Sequence, residues 1–165
     1  MKRFFKLFFG IILFILILFQ FYPRANNNLT LGISLNDITL HHNVPVPVQQ
    51  ILATSCYDCH SNNTIYPWYA NIQPVSLWLG NHIKEGKSEL NFSEFGTYNL
   101  RRQYRKLEEI NDQVKREEMP LSSYTLIHRD AKLSADQKLV IATWVTALRD
   151  SFKANYPLDS LQKKK

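Results

Sequence analysis

Cys56-Tyr57-Asp58-Cys59-His60 is the stretch on which the reading of this chain turns. Two thiols at i and i+3 share one face of a helical turn, and the next residue is an imidazole. That arrangement lets both thiols add to the two vinyl groups of a haem while the imidazole reaches the iron, which is the C-x-x-C-H attachment pattern. With two cysteines and five histidines among 165 residues, the motif arises by chance about once in a thousand such chains. It also uses both cysteines. A multi-bridge disulfide scaffold and a four-thiolate zinc site are thereby excluded. Three plainer readings remain: a structural C-x-x-C disulfide, a redox pair that needs a βαβ context, and a zinc site that needs ligands from elsewhere.

The N-terminal stretch sets the expected compartment. Phe4 to Tyr22 is apolar except for Lys6 and Gln20, follows Lys2 and Arg3, and is hydrophobic all round. It reads as one transmembrane helix, an uncleaved anchor over residues 1–24, because Gln20-Phe21-Tyr22-Pro23-Arg24 lacks the small residues of a signal-peptide cleavage site. Lys2, Arg3 and Lys6 place the N-terminus in the cytoplasm and the rest of the chain on the periplasmic side. Export fits the motif, since c-type haem is attached beyond the membrane. The net charge of +6 invites a nucleic-acid partner, but Lys2, Arg3, Lys6, Arg24 and Lys163 to Lys165 supply the excess. Residues 26–162 carry 13 bases against 14 acids. No phosphate-binding surface is expected.

Behind the anchor, residues 25–43 are Asn-rich and aperiodic and read as a tether. Residues 44–156 form the expected domain, and 157–165 a basic tail. A first helix runs from about Pro47 into the cysteines, with Val48, Ile51 and Leu52 on one face. A second covers Pro74 to about Glu85 and loses its pattern at Gly86. The longest is expected over Tyr98 to Glu117, stopped by Pro120. The last opens on Ser134 with Gln137 three residues on, a capping box, and ends near Lys153. No strand pattern or internal repeat occurs, so the class is all-α with long loops.

A haem bound through His60 leaves a sixth iron position. Met119 is the only methionine besides Met1 and lies in Glu118-Met119-Pro120, where a loop begins. It is the candidate distal ligand. His82 and His128 are the alternatives, and His41 and His42 are weaker ones. Trp68, Tyr69, Trp78, Tyr104 and Trp144 are expected to pack around the porphyrin. Arg101, Arg102, Arg105 and Lys106 cover a solvated helix face, from which one base could hold a haem propionate.

At these residues the chain resembles the c-type cytochromes and, more narrowly, the bacterial haem-binding domain family. The likeness covers roughly residues 44–150. It rests on CYDCHSNN, Tyr66-Pro67-Trp68-Tyr69, Pro74-Val75-Ser76-Leu77-Trp78, Glu118-Met119-Pro120 with Tyr124, and the helix around Trp144. The resemblance implies a cytochrome-c-like helical fold, one covalent haem c, an iron held by His60, and Met119 at the matching distal position. The long segment between Gly86 and Arg116 departs from compact electron-transfer cytochromes. The expected function is a membrane-tethered mono-haem electron carrier that meets redox partner proteins and has no identified small-molecule substrate. The rival is a haem enzyme or sensor of the peroxidase or small-gas type with an open sixth site.

Overall fold

A computed structural model describes residues 2–24 and 32–162, and every regular element among them is helical. After α1 (Lys2–Phe19) and α2 (Ile38–His41) comes α3 (Val46–Ser55), which opens beside Pro45 and Pro47 and buries Val48, Ile51, Leu52 and Ser55. Proline costs nothing there because the first amides of a helix have no partner within it. α3 does not run on into the motif as expected. Cys56 leaves the helical geometry at φ −127° and ψ −40°, and a separate turn, α4 (Tyr57–His60), follows.

α5 (Val75–Glu89) passes straight through Gly86, where the sequence pattern ends. α6 (Leu100–Lys115) starts on the Asn99 side chain, which accepts from the Arg102 amide. It stops before Pro120 is reached. Glu117, at φ +61°, closes it: the Glu117 amide donates to Val114 O at 3.2 Å and the Glu118 amide to Gln113 O at 3.0 Å. Those two bonds form a Schellman closure, which satisfies carbonyls that the helix leaves open.

After α7 (Ser122–Thr125) comes α8 (Ala135–Asn155), which at 21 residues exceeds the 16 of α6, so the expected order of lengths is reversed. Its capping box is complete, with Ser134 Oγ accepting from the Gln137 amide and Gln137 Oε1 accepting from that of Ser134. We expect Ser134→Ala to lower stability by about 1 kcal/mol in urea unfolding, the usual worth of such a cap.

α6 and α8 pack on each other and α3 on α8. Tyr104, Leu107, Phe92, Phe95, Ile141, Val145 and Phe152 fill the core between them. A second, smaller cluster of Ala70, Leu79 and Ile83 lies under α5. α9 (Leu158–Leu161) returns to α6 and buries Leu161, so this part of the presumed tail is packed. Part of the presumed tether is packed too. Ile38 is fully buried, His42 Nε2 meets Gln103 Oε1 at 3.0 Å, and the Gly96 amide donates to Asn36 O at 2.8 Å. Residues 25–31 and 163–165 lie outside the described residues.

The expected transmembrane helix needs correction. α1 spans 18 residues, carries Lys2, Arg3 and Lys6 in its opening turns, and ends before Gln20. Its uncharged part, Leu7 to Phe19, measures roughly 20 Å at about 1.5 Å per residue, against roughly 30 Å for a hydrocarbon core. No helix among the described residues is long and apolar enough to cross a membrane. What α1 does show is an apolar surface exposed from Lys2 to Leu18, with no buried residue. Its end is fixed to the domain, where the Gln73 amide donates to Gln20 Oε1 and Gln20 Nε2 donates to Gln73 O, both at 3.0 Å.

Candidate functional site

The break at Cys56 places the two cysteines on different packing units. Cys56 packs against the main core and Cys59 against the smaller cluster. Both thiols are free. Burial pushes the Cys56 thiol up to about 12 and the Cys59 thiol to about 11, with the neighbouring Asp58 carboxylate adding to the second. Both are therefore S–H groups at neutral pH, unlike the low-pKa thiol of an activated redox pair. Among the described residues no group of three or more His, Cys, Asp or Glu could hold a metal ion, and no strand supplies a βαβ context.

His60 ends α4 with its ring oriented by backbone alone. Nδ1 lies 3.0 Å from Gly86 O and 2.9 Å from Leu90 O, two acceptors that require Nδ1 to carry the proton. Nε2, which has no hydrogen-bond partner among the described residues, keeps its lone pair. Burial lowers the imidazole pKa, which favours the neutral ring that binds metals. Such a bond from the second nitrogen fixes both tautomer and ring direction.

Gly86 explains how α5 comes so near. A Cβ there would meet Cys59 O at 3.0 Å and His60 Cε1 at 3.4 Å. The glycine that marks the end of a pattern in the sequence is therefore a point of contact inside the helix. Gly86→Val is expected to push α5 off the motif and lower haem content on the order of tenfold, as loss of ring-orienting partners does at metal sites. Absorbance at the Soret band per mole of protein measures it.

Cys56 and His60 face a cavity of about 240 Å³, shared with Leu90, Phe92, Ile110, Val114 and Met119. One stripe of α6, from Lys106 through Glu109, Ile110 and Gln113 to Val114, forms its long wall. The Schellman closure then turns the chain so that Met119 lines the same cavity. His82 and His128 do not line it: His82 Nδ1 donates to Trp78 O at 3.0 Å, and His128 Nε2 meets Tyr69 OH at 2.8 Å. His41 and His42 are engaged with Leu35 O and Gln103.

The aromatic residues also differ from expectation. Tyr104 and Trp144 belong to the main core, Trp68 is 75% exposed, and none of the five expected around a porphyrin lines the cavity. One contact escapes the sequence altogether: Tyr124 OH donates to Asp58 Oδ2 at 2.7 Å, tying the loop after Met119 to the middle of the cysteine motif. Tyr124 also stacks on His128, with ring centroids 4.4 Å apart.

A neutral imidazole with a free nitrogen, the Cys56 thiol and the Met119 thioether on one cavity with mostly apolar walls suit a haem, while Cys59 packs on the smaller cluster and does not line that cavity. No curated protein and no solved structure matches the chain. A family model described as the haem-binding domain matches residues 14–147, which take in the motif, the cavity and most of α8, and the chain belongs to that family.

Proposed function

We propose that this chain is a c-type electron carrier, with one haem bound through thioethers to Cys56 and Cys59 and with His60 and Met119 as the residues that would hold its iron. The observation that carries it is His60, whose free Nε2 shares a largely apolar cavity with Met119. Haem supplies an iron that changes charge by one electron. The protein's part is to hold it: the carbonyls of Gly86 and Leu90 aim His60, and Met119 occupies the position that a substrate would need. Leu90, Phe92, Ile110 and Val114 give the cavity apolar walls, and a thioether ligand together with histidine would favour the reduced iron.

Attachment adds each S–H across a vinyl C=C, sulfur to carbon and hydrogen to the neighbouring carbon. Denaturing gels stained for haem test it: the wild type keeps the stain after acid-acetone extraction, and Cys56→Ser with Cys59→Ser loses all of it. Stain lost equally from both chains contradicts covalent attachment.

We further propose that α1 lies in the surface of a membrane without crossing it, with the domain on the periplasmic side and a redox partner protein approaching it there. Phe4 at 73% and Leu7 at 65% exposure illustrate a helix with no protein partner. Each such side chain gains about 1.5–3 kcal/mol on leaving water. Lys2, Arg3 and Lys6 suit the anionic headgroups at a membrane surface. The full chain is expected to stay with membranes through a high-salt wash and to leave with detergent. Release by salt alone contradicts lipid burial, since salt screens charges and not apolar contact.

A further inference from the structure

Haem is an amphiphile, an apolar macrocycle with two carboxylates, so a protein that holds it has to meet both parts. The α6 wall of the cavity has the matching polarity. Ile110 and Val114 lie toward Met119, and Lys106 lies at the other end. Lys106 is the only cation lining the cavity, and its side chain is just 6% exposed. Lysine is almost never buried to this degree without an anionic partner.

Its present partners, Glu89 and Glu109, line the same cavity but are exposed to solvent. Lys106 Nζ lies 3.0 Å from Glu89 Oε2 and 2.6 Å from Glu109 Oε2, on side chains that are 72% and 42% exposed. Both carboxylates can turn to water at little cost, whereas the ammonium is committed to the cavity. The other bases of this helix are engaged elsewhere. Arg101 donates to Asp159 O at 2.9 Å, Arg102 lies 4.0 Å over the Tyr98 ring, and Arg105 pairs with Glu109 on the surface.

Resting on the haem reading above, we propose that Lys106 binds a porphyrin propionate, exchanging its exposed glutamate partners for that carboxylate. The exchange makes and breaks ion pairs only. It assigns the propionate contact to one of four bases among which the sequence does not choose.

The test pairs a residue change with a ligand change. The full-length chain, prepared without attached haem, is titrated with ferric protoporphyrin IX and with its dimethyl ester, which lacks both carboxylates. The wild type is expected to prefer the free acid by about tenfold, as a charge-assisted bond implies. Lys106→Met, similar in size, and Lys106→Gln should each abolish that preference, while Lys106→Arg should keep it. Glu89→Gln with Glu109→Gln should leave it intact or increase it, which a merely structural ion-pair role does not predict. An acid-to-ester ratio unchanged by loss of the lysine overturns the proposal. Failure of the wild type to bind either form, together with absence of haem stain from the mature chain, overturns the underlying haem reading instead.

Discussion

Met119→Ala is expected to convert a six-coordinate iron into one that takes up carbon monoxide readily. If Met119 binds the iron, the thioether takes the position that an external ligand needs, and binding to the wild type is reduced to the fraction of time the sulfur is away. If Met119 leaves the iron in about one molecule in a hundred, CO binds the wild type about a hundredfold more weakly than the variant. Covalent haem should be unchanged, because Cys56 and Cys59 are untouched. The oxidised wild type should also show the weak near-infrared band of sulfur-ligated ferric haem, and the variant should lack it. Met119→His should remain six-coordinate at a lower potential, since imidazole favours the ferric state more than a thioether does. Equal CO binding by wild type and Met119→Ala would place the methionine off the iron and favour the rival reading, an enzyme or sensor with an open site.

The second large effect falls on the other axial position. His60→Gly should keep haem on its two thioethers yet lose the low-spin spectrum and lower the potential stability of the reduced state. The ring it removes is aimed by Gly86 O and Leu90 O, and both carbonyls remain to receive a free imidazole. Added imidazole is therefore expected to restore the six-coordinate spectrum at millimolar concentration, roughly the affinity of a small fragment with few contacts. A wild-type spectrum in the variant without imidazole would show that His60 does not bind the iron.

The sequence carries the helices where a local signal sets them. Ser134 and Gln137 announce the start of α8, and Val48, Ile51 and Leu52 announce the buried face of α3. It fails where tertiary contact decides. Gly86 reads as a helix end because glycine is a poor helix former, yet α5 continues through it to bring a carbonyl onto His60. Pro120 reads as the stop for α6, whereas Glu117 in a left-handed conformation closes it first. Residues 32–43 lack any period, but Ile38 in the core, with the bonds of Asn36 to Gly96 and His42 to Gln103, pins them to the domain.

The site divides in the same way. Cys56, Cys59 and His60 stand out in the sequence because their chemistry is rare and their spacing local, whereas Met119 stands out only as the one methionine besides Met1, and the structure puts it on the cavity that Cys56 and His60 line. Lys106 is not, since it sits among Arg101, Arg102 and Arg105 in a run that reads as solvated surface, and only the helix's orientation buries it. Asp58 and Tyr124 are 66 residues apart, so their hydrogen bond has no trace in the sequence.

The central claim, one haem joined to the chain through both cysteines, is tested most directly by the intact mass of the denatured protein made in cells that attach c-type haem. The account predicts a single species heavier than the polypeptide by one haem, with peptide fragmentation placing the added mass on both Cys56 and Cys59. A chain at the bare polypeptide mass, or at two hydrogens less for a disulfide, would contradict it.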